Sequence, residues 1–161
     1  FSTHAANPDI LSTFHEMTRC LKQMDLHLMS MCMTIMKLQN NCLKFSSAGM
    51  PPALLHRSGN GHVEELLVKG MPLGTFNDFP YEIKDTTINP GDTILLMSDG
   101  LPELFNDKKE MFGYERVLEI FEKSSKKSAE KIIEDLQAAG AVWVQHADPQ
   151  DDVTFVVLKY K

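Results

Sequence analysis

Residues 89–100, Asn89-Pro90-Gly91-Asp92-Thr93-Ile94-Leu95-Leu96-Met97-Ser98-Asp99-Gly100, restrict what this chain can fold into more than any other stretch. Proline presets φ and glycine accepts positive φ, so Pro90-Gly91-Asp92 reverses the chain just ahead of an apolar run. The run Thr93 to Met97 is bounded by turn signals and too short for a helix, which predicts a strand covered on both faces. Asp99 then leaves the core at the strand's end. Gly100 behind it permits a close backbone approach or an unusual φ, so the carboxylate sits in a tight turn at a sheet rim. Two roles fit such a residue: the cap of a short helix begun by Leu101-Pro102-Glu103-Leu104, or a metal ligand or catalytic acid.

The other segments build an α+β frame around this strand. Asn7-Pro8-Asp9 opens a helix that runs to about Met24, with Ile10, Leu11, Phe14, Met17, Thr18 and Leu21 inward at three- and four-residue spacing. His15 and Glu16 fall on its solvated side. From Leu28 to about Gln39 the period changes to two, Asn40-Asn41 supplies a hairpin turn, and Cys42 to Ser47 returns antiparallel. Strands follow at Ala53 to Arg57, at Val63 to Val68, and across Tyr81 to Lys84 with Thr86 to Ile88. Helices are predicted from Glu115 to about Lys123 and from Ser128 to about Gln145, the second carrying Ile132, Ile133, Leu136, Val142 and Trp143 inward and weakened in its middle by Gly140. Phe155 to Leu158 reads as a closing buried strand. Mostly antiparallel sheets with helices outside them result.

Composition removes several function classes. At 161 residues the chain is one domain's worth. A formal charge of −6 without any Lys/Arg cluster argues against a nucleic-acid surface. Cys20, Cys32 and Cys42 are odd in number and lack paired spacing, so no disulfide framework or structural zinc site is indicated, and a reducing cytoplasm suits them. No apolar run reaches the roughly 18 residues of a membrane span, so no membrane contact is expected from this segment. The methionines of the first hairpin read as adaptable core filler. Arg57, beside the turn Ser58-Gly59-Asn60-Gly61, is either a solvated strand end or a contact for phosphate or substrate.

A second acidic turn, Asp148 to Asp152, precedes Phe155 to Leu158 in mirror image to Asp99. If the two strands are antiparallel neighbours, both turns lie at one sheet edge. Carboxylates there would suit Mg²⁺ or Mn²⁺, which want about six oxygens, and the lack of histidine or cysteine disfavours zinc. A plain loop held by Asx turns accounts for the same residues equally well.

Taken in order, Ser46-Ser47-Ala48-Gly49-Met50-Pro51-Pro52-Ala53-Leu54-Leu55, Gly70-Met71-Pro72-Leu73-Gly74, Pro90-Gly91-Asp92, Ser98-Asp99-Gly100-Leu101-x-Glu103-x-x-Asn106, Phe112-Gly113 and Asp151-Asp152-Val153-Thr154 resemble the bacterial SpoIIE-like branch of the metal-dependent type 2C (PPM) serine/threonine phosphatases. The resemblance implies an α-β-β-α sandwich over residues 1–161, lacking its N-terminal strands, with a Mn²⁺ or Mg²⁺ centre that is binuclear in the intact domain. Asp99 and Asp151 match the family's metal ligands, with Gly100 and Asp152 in support. No side chain acts as nucleophile in such enzymes, since a water on the two ions attacks phosphorus in line. The substrate implied is a phosphoserine or phosphothreonine on a regulator of the anti-anti-sigma type, and the partners implied are an upstream sensor or receiver domain and a second copy in a homodimer. The chain departs from the pattern twice. Strands with acidic-glycine and Asp-x-Ser-Gly-His-Gly-like motifs would precede a helix ending at Phe1 to Ala6, and Met50 stands where many relatives carry histidine. A phosphatase-like module that senses or dimerises without chemistry is the competing expectation.

Overall fold

The computed structural model describes residues 9–24, 30–144 and 151–161. The chain divides into two compact units, Phe1–Met50 with Val68–Ile88, and Pro51–Leu67 with Asn89–Lys161. Both are mixed α and β with antiparallel sheets, the class the sequence predicts.

The first unit sets helix α1 (Ile10–Gln23) against a three-stranded sheet of β1 (Met33–Gln39), β2 (Cys42–Ala48) and β5 (Lys84–Thr87), in the order β1-β2-β5. Its helix is capped by Asp9, whose carboxylate accepts the Leu11 amide at 3.0 Å. The expected Asn7 cap and the start of the first strand at Leu28 lie outside the described residues. Asn40 and Asn41 both take positive φ, 48° and 61°, the pair of left-handed positions a two-residue hairpin turn demands. Ile10, Phe14 and Met17 of α1 bury with Ala48, Leu73 and Tyr81. Tyr81 corrects an expectation: residues 81–83 do not join the strand, because its ring packs edge-on against Phe14 at 5.0 Å while its hydroxyl donates to the Met71 carbonyl at 2.8 Å.

The second unit carries a four-stranded antiparallel sheet, β4-β3-β6-β7, made of β3 (Ala53–His56), β4 (Val63–Leu66), β6 (Thr93–Met97) and β7 (Phe155–Lys159). Helices α2 (Tyr114–Ser124) and α3 (Ala129–Val144) cover one face. Their Val117, Phe121, Ile132 and Leu136 bury against Leu54, Leu95 and Met97 of the sheet, each such side chain contributing about 1.5–3 kcal/mol on burial. As expected, β6 is a covered strand: it lies between β3 and β7, and all of its residues but Leu96 are buried.

Two expectations fail here. Val142 is 75% exposed, and the position that faces inward in its place is Gly140, where a methyl would come within 2.9 Å of the Leu101 side chain. That glycine therefore lets α3 approach the segment following Asp99. The closing strand β7 is not buried on both faces: it is a sheet edge, with Val156 and Leu158 about 45% exposed. An apolar run shows which side chains could be buried, whereas covering them needs a layer, and α3 covers only the side carrying Phe155 and Val157.

Candidate functional site

Strands β6 and β7 are antiparallel neighbours, with Met97 opposite Phe155. The end of one is therefore the beginning of the other, and Asp99 and Asp151 emerge at the same edge. Main-chain and hydroxyl bonds lock the two turns together. The Ser98 amide donates to the Thr154 carbonyl at 3.1 Å, the Ser98 hydroxyl to the Asp152 carbonyl at 3.0 Å, and the Thr154 amide to Ser98 Oγ at 3.0 Å. Gly100 lies against this seam. A methyl at position 100 would run into the Asp152 carbonyl oxygen and lie 2.9 Å from its carbonyl carbon, so close approach is what requires the glycine.

The two readings of Asp99 separate on its bonding. Leu101 to Leu104 form no helix. Asp99 closes a single turn through its main chain, its carbonyl accepting the Glu103 amide at 2.9 Å. Among the described residues no hydrogen bond reaches its exposed carboxylate, so it caps nothing. Asp151 is exposed, and its Oδ1 accepts the Asp152 amide at 2.8 Å. Asp152 contributes through its carbonyl. Asp148 lies outside the described residues.

A cleft of about 220 Å³ opens beside the turns, lined by Gly100, Glu103, Leu104, Phe105 and Asp151. Glu103 is the residue the sequence reading passed over. Its place in a Ser-Asp-Gly-Leu-x-Glu run, four positions after Asp99, was the available signal, since a single turn of helix returns the side chain toward the residue that starts it. These donors are hard oxygens, the type that suits Mg²⁺ or Mn²⁺. Their number falls short of a full shell: among the described residues no three His, Cys, Asp or Glu side chains gather as a metal cage.

Arg57 lies elsewhere. It follows β3, whose His56 is opposite Thr93 at the start of β6, while Asp99 lies beyond the other end of that strand, about 20 Å away at strand rise. Its guanidinium is engaged there, donating to both Glu64 oxygens at 3.0 and 2.8 Å and to Asp92 Oδ2 at 3.4 Å.

Asp92 anchors that far end. It is 1% exposed and accepts the amides of Asn89 at 2.9 Å and Ser58 at 2.8 Å, with the Ser58 hydroxyl at 3.1 Å. Burial alone would push its pKa up, but these bonds and the Arg57 charge outweigh burial and hold it below the ordinary carboxylate value. The stabilisation is complete above the unfolded-state pKa and is lost as pH falls through the depressed folded value. Asp92→Asn is accordingly expected to cost about 2 kcal/mol at neutral pH and to flatten the acid limb of stability, measured by urea unfolding across the acidic range. An acid limb as steep in the variant as in the parent would contradict this role.

Comparison with known proteins agrees with the resemblance read from the motifs. The family model described as stage II sporulation protein E (SpoIIE) matches residues 3–161. The chain is 25% identical over 127 residues to stage II sporulation protein E of Bacillus subtilis (strain 168), covering 79% of this chain and 15% of that protein. It is 28% identical over 119 residues to the phosphoserine phosphatase RsbU of the same organism, covering 73% of this chain and 34% of that one. Among solved structures it is similar to the SiaA-PP2C domain of Pseudomonas aeruginosa, with a TM-score of 0.78 and 20% identity over 92% of this chain and 58% of that chain. It thus spans well under half the length of these curated relatives. No helix of the described residues is long and apolar enough to cross a membrane. With the family model matching almost end to end and the fold agreeing with a PP2C domain, the chain belongs to the SpoIIE family.

Proposed function

We propose that this chain is part of a metal-dependent serine/threonine protein phosphatase acting in bacterial signalling, and that its substrate is a phosphoserine or phosphothreonine on a regulator protein of the anti-anti-sigma type. The observation that carries the reading is the antiparallel pairing of β6 with β7, which brings the Asp99 and Asp151 carboxylates out at one edge, with no hydrogen bond to the Asp99 carboxylate among the described residues. A phosphatase-like scaffold has no need of an unengaged carboxylate beside a second one.

Asp99 and Asp151 are the residues that would hold a Mn²⁺ or Mg²⁺ ion, and Gly100 and the Asp152 carbonyl keep the two turns in register. When bound, the ion supplies Lewis acidity toward the phosphoryl group and toward the attacking water. The chain's own contribution is electrostatic and geometric: two carboxylates on rigid strand ends fix an ion with little reorganisation, since each turn is held by main-chain bonds. Two ligands fill only part of an octahedral shell, so weak Mn²⁺ affinity and slow turnover are expected of the chain by itself. An upstream sensor or receiver segment and a second copy of the chain are the partners that fit a signalling phosphatase, and the cytoplasm is the compartment that suits its three cysteines, which form no disulfide.

Phosphate release from a phosphoserine protein, with Mn²⁺ and then with a chelator, tests the reading. Release that depends on Mn²⁺ and vanishes in both Asp99→Asn and Asp151→Asn supports it. Equal release under chelation, or release that survives both substitutions, sinks it.

A further inference from the structure

On the helix-covered side of the β4-β3-β6-β7 sheet, next to the Asp99 turn, lies a second hollow of about 330 Å³. Leu54, Met97 and Leu118 form its floor, and Tyr114, Glu65 and Glu115 stand around it. The strand register explains the grouping. Leu54 is opposite both Glu65 and Leu95, so all three project to one face, and Met97, two residues beyond Leu95, shares it. Helix α2 then closes the hollow with residues from its first turn and a half.

Two main-chain bonds tie this hollow to the candidate site. The Gly113 amide donates to the Pro102 carbonyl and the Phe112 amide to the Leu104 carbonyl, both at 2.8 Å, which fastens the start of α2 to the segment leaving Asp99. The Tyr114 phenol is held above its ordinary pKa by burial first and then by the charges of Glu103 and Asp99, so it lies within their field. Glu65 and Glu115 are exposed, and among the described residues neither has an ion-pair partner. Glu64, on the opposite face of the same strand, is by contrast already taken by Arg57.

An apolar floor rimmed by two uncommitted carboxylates matches one kind of side chain: a long aliphatic stem that ends in a cation. A purely apolar occupant would desolvate the carboxylates without compensation, and an acidic one would be repelled. We propose that this hollow receives an arginine or lysine side chain of the phosphoprotein substrate, close in sequence to its phosphoresidue, and so sets which regulator is accepted. The proposal rests on the phosphatase reading given above. The floor residues hold the stem, and Glu65 or Glu115 pairs with the tip.

The test is binding of fluorescein-labelled phosphoserine peptides to the 161-residue chain with Mn²⁺ present, read by anisotropy. A single arginine is walked through an otherwise alanine background, from four residues before the phosphoserine to four after it. Arginine at one or two of these places is expected to tighten binding about tenfold over the all-alanine peptide, and the gain should disappear in the exposed double variant Glu65→Gln/Glu115→Gln. No gain at any place, or a gain that survives the double substitution, overturns the proposal. Hydrolysis of p-nitrophenyl phosphate by the unaltered chain reports on the phosphatase reading separately, because so small a substrate carries no cationic side chain. Arginine preference without hydrolysis would leave the hollow standing and the enzyme reading defeated. Hydrolysis without arginine preference would do the reverse.

Discussion

Gly100→Ala is expected to reduce Mn²⁺-dependent phosphate release at least about 100-fold, the largest loss of any single methyl added to this chain. The added carbon meets the main chain of Asp152. A side-chain neighbour could swing aside, but a carbonyl that already accepts the Ser98 hydroxyl at 3.0 Å cannot move without opening the seam between the turns. Whichever turn yields, Asp99 and Asp151 move apart, and a ligand displaced by about 1 Å is enough for a loss of this size. Overpacking of this kind also costs about 1–3 kcal/mol of stability, so urea unfolding and phosphate release should fall together. Full activity with unchanged stability would mean that the two turns are not in register as described.

Asp99→Asn is expected to separate the two readouts, losing activity by about 100-fold or more while leaving stability within about 0.5 kcal/mol. The side chain is exposed and no hydrogen bond reaches its carboxylate among the described residues, so folding has little invested in it. An amide keeps the shape of the carboxylate but gives up the charge that a hard divalent ion requires. Paired measurements of phosphate release and thermal unfolding check this. Asp152→Asn makes the informative comparison, with a smaller loss expected, because that residue braces the seam through its carbonyl. Asp92→Asn, at the far end of β6, should show the complementary pattern of lower stability with the Asp99 turn intact.

Much of this arrangement is legible in the sequence, for local reasons. Pro90-Gly91-Asp92 announces a reversal, Thr93 to Met97 is too apolar and too short to be anything but a covered strand, and Asn40-Asn41 can tolerate the two positive φ values that a tight hairpin needs. The two aspartate turns come out at one sheet edge only on the condition that β6 and β7 are antiparallel neighbours, which strand order alone decides. What stays hidden depends on neighbours distant in the chain. Arg57 reads as a free cation until Glu64 and Asp92 are seen to hold it. Tyr81 fits a strand pattern until Phe14 and the Met71 carbonyl claim it. Gly140 looks like a flaw in a helix, and it becomes a contact surface once Leu101 lies across it. Val156 and Leu158 have the composition of buried strand residues, but β7 forms a sheet edge and both stay nearly half exposed.

We propose that Asp99 and Asp151 hold one divalent ion between them. Titration of Mn²⁺ into the isotope-labelled chain, followed by paramagnetic broadening of backbone amide resonances, tests it most directly, because broadening reports proximity to the ion even when binding is weak. The amides of 98–100 and 151–153 are expected to broaden first and together, and both sets should stay sharp at the same Mn²⁺ concentration in Asp99→Asn. Broadening of one turn without the other, or an unchanged pattern in the variant, would contradict a shared site.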